Sequence, residues 1–242
     1  MRTTTFFAFF MAMSVMFCSA FASAENTLWR RPPPTCDAYE ATLDLLVKDC
    51  EAIVVKAFAG VYAEAYIAAV VEAKLEVDVK VLFGLVDVDV KAKLFAAIVA
   101  SVKAAVEAEV ELAIQLKFTA ELRAKLAAII IKQCPTKDAA CIKRNAREIV
   151  SEVSKLTIDA AAAIVLEIKA ELAAKIKAAI DLQVKASINL LLATITVTGE
   201  VDVFAEIFVK IEAAVGLCVK AFAAILVQEE LKIKEICPAN PL

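Results

Sequence analysis

Every odd-numbered position from Ile53 to Leu85 is apolar, and every even-numbered one from Val86 to Ile130. The same rule returns on even positions from Leu156 to Leu192 and on odd positions from Val201 to Val227. Alternation of this kind places all apolar side chains on one face of a strand. Alanine, abundant in these tracts, is a good helix former and a poor strand former, which argues for helix. Charge spacing argues the other way: Glu107, Glu109, Glu111, Lys117, Glu121, Arg123 and Lys125 scatter round a helix at 100° per residue but share one face at 180°.

The reading that follows is an α+β, β-rich fold of two tandem repeats. Each repeat is a short amphipathic helix followed by long amphipathic antiparallel strands. A mainly α amphipathic helical bundle is the alternative, and i,i+4 pairs such as Glu171/Lys175 and Asp181/Lys185 would suit it. Helical spacing is expected in TCDAYEATLDLLVKDC, with Thr35 or Asp37 as cap, and in KDAACIKRNAREIVSEVSKL. A 33-residue strand would run about 110 Å, so the tracts must fold back, and turns are expected at Gly84-Leu85-Val86 and between Thr194 and Glu200, near Gly199.

Two Cys-Pro pairs, Cys134-Pro135 and Cys237-Pro238, close proline-free stretches that open at Cys36 and Cys141, a tandem arrangement with a period of about 105 residues. The expected organisation is a signal peptide over 1–24, a Pro-rich linker over 25–35, repeat units at 36–135 and 141–238 separated by a linker at 136–140, and a tail at 239–242. Arg2, the apolar run from Phe6 to Phe17 and Ala22-Ser23-Ala24 have the character of a secretory leader. Arg30-Arg31 before three prolines reads as a solvated linker. The expected location is the secretory pathway, ending outside the cell or in a vacuole or vesicle.

Behind that leader six cysteines remain, an even number suited to an oxidising compartment. The duplication pairs Cys36 with Cys134 and Cys141 with Cys237, leaving Cys50 and Cys218 to link units or molecules. Alternatively Cys134 and Cys141 close the loop CPTKDAAC. Cys36 and Cys50 would lie about 21 Å apart on one helix and cannot bond each other there.

Composition changes the picture in two ways. Apolar residues make up 61 % of the chain, above the roughly 45 to 50 % of an ordinary domain, so a core, partner, lipid or self-assembly must cover much apolar surface. Basic and acidic residues are interleaved with a small acidic excess, unlike the clustered basic face that nucleic acid requires. Apolar runs are cut by charge before reaching the length of a membrane span.

Candidate chemistry is scarce. The chain has no histidine, no phosphate-cradling glycine loop and no nucleophile motif, so no enzyme, cofactor or metal site is expected. Carboxylates such as Glu76/Asp78, Asp87/Asp89 and Glu107/Glu109/Glu111 fit cross-strand charge pairs on a solvated face. Phe58, Tyr62, Tyr66, Phe95, Phe204, Phe208 and Phe222 fall off the apolar phase, as packing under a covering helix or as a surface for assembly or ligand. Two functions fit: a non-enzymatic, disulfide-stabilised structural protein that self-assembles through its amphipathic sheets or acts at an interface, and a carrier of lipid or another apolar ligand in a cavity lined by Ala, Val and Ile.

Overall fold

The computed structural model describes residues 37–80, 88–191 and 194–237. Helix accounts for 87 % of them, and the two strands present are five residues each, so the chain is mainly α and the β-rich reading is overturned. The leader, Cys36, the turn at Gly84 and the tail lie outside the described residues.

Helix α1, Ala38–Ala59, starts where expected, with the Asp37 carboxylate accepting hydrogen bonds from the backbone N–H groups of Tyr39 and Glu40 at 3.0 and 3.2 Å. A break at Gly60 leads into α2, Glu64–Lys74, and then strand β1, Glu76–Lys80. Helix α3, Val88–Ile114, passes through a π turn, Gln115–Thr119, into α4, Ala120–Gln133. A corner closed by the Cys134–Cys141 disulfide leads to α5, Ala139–Arg144, and α6, Ala146–Leu191. Strand β2, Thr194–Thr198, and helix α7, Glu200–Glu235, follow.

Helix α6, about 69 Å long at 1.5 Å per residue, lies between α3–α4 on one side and α7 on the other. Helix α1 packs on α4 and α7, and α2 packs on α3 and α7. The two strands pair antiparallel in the register Glu76 to Thr198, with Val77 and Val79 turned inward. Both proposed repeat units fall within one compact unit that runs from Cys36.

Why period-two tracts form helices is visible in which side chains are buried. Leu94, Ile98, Val102, Val106, Val110, Ile114, Phe118, Leu122, Leu126 and Ile130 are all buried, at a strict spacing of four. The even positions between them, seven alanines with Leu112 and Leu116, are all exposed. The same division holds from Ile164 to Ile180, where Leu166, Ala170, Ala174 and Ala178 are exposed between buried partners. A period of two in polarity thus conceals a period of four in size. Strand pairing would bury both sets; helix packing takes the large set and leaves the small one to solvent.

A spacing of four advances 400° on an α-helix, so the buried stripe drifts about 40° at each step. The stripe of α3–α4 meets α2 and α6 first, and α6 and α1 later, as drift requires. The π turn, with more residues per turn, corrects part of it. That turn, which contains Lys117, also separates Glu107–Glu111 from Glu121–Lys125, so a single 100° count across both misplaces the second group. Glu109, moreover, is not solvated: it is 4 % exposed and ion-paired with Lys175 of α6. The charge argument against helix fails for these two reasons.

In α7 the spacing is eleven residues: Val203 and Ala214, Ile207 and Cys218 and Glu229, Ile211 and Phe222 and Ile233, all buried. An eleven-residue repeat gives 3.67 residues per turn and a right-handed coil. One member of this apolar register is a glutamate.

Candidate groove between the first and last helices

Helices α1 and α7 meet along a seam of small side chains. Ala52 and Ala57 on one helix face Ala221 and Ala224 on the other, and side chains this short do not fill the gap between two helix axes. The result is an open groove of about 520 Å³, walled further by Ile53, Leu217 and Ile225. Its lining positions recur at three- and four-residue steps on both helices, so each contributes one face.

The ends of the groove are polar. Lys56, exposed, stands towards one end of α1, while Asp49 of α1 and Gln228, Glu229 and Lys232 of α7 form the other. Lys232 Nζ donates to Glu229 Oε1 at 2.5 Å and to Asp49 Oδ2 at 3.0 Å, tying the two helices together. Glu229 is only 3 % exposed, and its Oε2 is buried with no hydrogen-bond partner. Burial pushes the Glu229 carboxyl above its ordinary value; Lys232 pulls the other way, and the neighbouring Asp49 carboxylate adds to the rise. The Lys232 ammonium is held above its usual value by the two carboxylates it serves. An unpartnered buried acceptor is costly in water-free surroundings, and a carboxyl that keeps its proton beside the Asp49 carboxylate lowers that cost.

A larger hollow, about 820 Å³, lies between α2, the sheet and α3, with Phe95 and Val99 in its wall. Its charged members Glu72, Glu76, Asp78 and Lys91 are all exposed, so water satisfies them. Among the described residues no group of Cys, Asp and Glu is arranged to hold a metal ion.

The off-phase aromatics do not form one exposed strip. Phe58 and Phe222 are core residues. Tyr66 donates its hydroxyl to the backbone oxygen of Glu206 at 2.8 Å, with Lys210 over its ring. Phe204 and Phe208 stack at 5.6 Å, with Lys169 over Phe208. Tyr62 is half-buried, and Phe95 belongs to the larger hollow. None of the seven lines the α1–α7 groove.

The cysteines resolve differently from the staple pattern. Cys134 pairs with Cys141 across the short corner, where Asn145 also donates to the Gln133 carbonyl oxygen at 3.0 Å. Cys237 is disulfide-bonded to a partner outside the described residues. Cys50 and Cys218 form no link; they are buried free thiols, and burial raises them to about 12 and about 11. The described carboxylates do not pair with lysines across strands either. Glu107 pairs with Lys103 along α3, Glu109 pairs with Lys175, and Asp78 pairs with Lys80 along β1; Asp87 is outside the described residues.

Sequence reasoning missed Asp49, Glu229 and Lys232. A signal was available: the odd-numbered apolar tract of the last helix stops at Val227 because the next odd position is Glu229. Compared with protein-family models, with curated proteins and with solved structures, the chain matches none.

Proposed function

We propose that this chain is a non-enzymatic, secreted binding protein that holds a small apolar or amphiphilic ligand between its first and last helices. The observation that carries the reading is the α1–α7 groove: about 520 Å³, alanine-floored, inside the usual range for a small-ligand site, with polar groups gathered at one end. The Cys134–Cys141 disulfide and the leader-like first 24 residues support an oxidising destination. Self-assembly through stacked sheets finds no support among the described residues, where the two strands are five residues long.

The test is saturable uptake of a neutral fluorescent probe, N-phenyl-1-naphthylamine, by the whole protein. Ala224→Trp fills the groove from an exposed position and should abolish uptake while leaving the helical circular dichroism unchanged. Equal uptake by wild type and Ala224→Trp, or no saturable uptake by wild type, would sink the reading.

One observation favours a second reading, self-association. Val201, Val209, Val227 and Leu231 are large, apolar and more than half exposed on α7, which is also apolar enough by length and composition to cross a bilayer. A single elution volume from low to high concentration on size exclusion would dismiss it.

A further inference from the structure

We infer that α7 is the contact by which two copies of this chain form an antiparallel dimer, with Gly216 on the two-fold axis. The inference rests on the self-association reading above, adds the orientation and register of the second copy to it, and does not depend on the groove.

The outward face of α7 carries it. Ala205, Gly216 and Val227 stand two positions before the buried Ile207, Cys218 and Glu229, which places them about 200° round the helix, away from the helices on which α7 packs. Val201, Val209, Glu212, Lys220, Ala223 and Leu231 flank that line, and all of them are exposed. In α3–α4 the outward members of the alternating tract are mostly alanine, whereas here Val201, Val209 and Val227 are large.

Symmetry says what covers this stripe. In a two-fold, antiparallel pair, a residue some number of positions before the axis lies level with the partner's residue the same number after it. About Gly216 the stripe is complementary to its own reverse. Val209 lies level with the partner's Ala223, and Ala205 with the partner's Val227, so large packs beside small. Val201 and the partner's Leu231 close each end. Glu212 lies level with the partner's Lys220, and the symmetry makes that pair twice. Neither residue has an ion pair among the described residues, and about 12 Å apart along one helix they cannot make one with each other. A bilayer laid on the same stripe would bury both charges unpaired, whereas a second copy pairs them.

Gly216 fits the axis. A Cβ there would meet nothing within 4 Å in its own chain, so nothing in that chain requires a glycine, which weakens a helix interior relative to alanine. On the axis its bare backbone lets the two helices approach closely. A strip about 45 Å long and about 10 Å wide covers on the order of 450 Å² of each copy, small for a specific interface, so the dimer is a weak and reversible one.

The experiment is sedimentation velocity on the whole protein from about 1 to about 500 μM, with circular dichroism to confirm the fold of each variant. Wild type should pass from monomer to dimer across that range. Glu212→Lys and Lys220→Glu each create two like-charge contacts and should each weaken the dimer at least about tenfold. The double variant carrying both, with its charges exchanged, should return to within about threefold of wild type. Gly216→Leu should weaken the dimer at least about tenfold without lowering the melting temperature of the monomer. A dimer indifferent to both single reversals, or one the double variant does not restore, overturns the antiparallel register and leaves self-association itself standing. A chain that stays monomeric throughout overturns both, and binding of that monomer to phosphatidylcholine vesicles would assign the stripe to a membrane instead.

Discussion

Gly199 lies directly under the backbone carbonyl oxygen of Lys74: a Cβ on Gly199 would fall well inside van der Waals distance of that oxygen. The glycine also has φ of +99°, a conformation that side chains rarely adopt, where β2 turns into α7. Strand β1 begins two residues after Lys74, so one backbone contact fixes where both halves of the sheet meet their helices. Gly199→Ala is expected to destabilise the protein by about 2 kcal/mol or more, combining left-handed strain with a backbone clash. Urea denaturation followed by circular dichroism measures it; a loss below about 0.5 kcal/mol would mean that the junction relaxes freely.

Leu116 and Leu126 are both apolar and both even-numbered, so a strand would give them the same environment. In the helix they differ: Leu126 is fully buried and Leu116 is 54 % exposed. Leu126→Ala should cost about 3 kcal/mol and Leu116→Ala less than about 0.5 kcal/mol. Equal costs would restore the strand interpretation.

Cys50 and Cys218 should be silent in the native protein. Thiolate is the reactive form, and burial holds these thiols at about 12 and about 11. A maleimide at pH 8 should label neither until denaturant is added, and both afterwards. The same shifts tie stability to pH. Unfolded thiols ionise near 9 while the folded ones keep their protons, so the unfolded state gains and stability falls as pH rises from 9 towards 12. Replacing both residues with alanine should flatten that part of the curve.

Glu229 supplies the opposite end of the pH scale. Its folded carboxyl is raised by burial, so the folded state binds the proton more tightly than the unfolded chain. This contribution to stability is present below the ordinary carboxylate value near 4.5 and is lost as pH climbs through the raised one. Lys232, raised by its carboxylate partners, contributes stability that is lost only above the ordinary lysine value of 10.5. Wild type should therefore lose stability relative to Glu229→Gln as pH rises from 4 to 7. A constant difference would show that Asp49 and Lys232 already satisfy the glutamate.

How much of this was legible in the sequence depends on the element. The cap at Asp37 and the helical beginnings of both halves were readable from local spacing, because a cap is settled by neighbours three residues away. Glu76–Lys80 is a strand, but only a small part of the tract read as one, and the turn expected between Thr194 and Glu200 is itself a strand as far as Thr198, with the bend confined to Gly199. The long tracts misled because polarity was read without size: Leu94 and Ala96 are both apolar, yet only one is buried. The charges on α3 and α4 misled because an ion pair can draw a glutamate inside, as Lys175 does with Glu109, and because a π turn resets the angle count. The groove itself was illegible, since it depends on which two helices become neighbours. Only the interruption at Glu229 pointed to it.

Asp49 and Lys232, the two residues that join the polar end of the groove, stand 183 positions apart. A ribosome adding about 5 to 20 residues per second needs some ten to forty seconds to make the second after the first. For all of that interval the first wall of the groove has no opposite wall. On the proposed reading, ligand loading belongs to the completed chain, and a ligand in the groove would act as a clasp on the first and last helices, favouring the closed form over any in which the last helix has yet to dock.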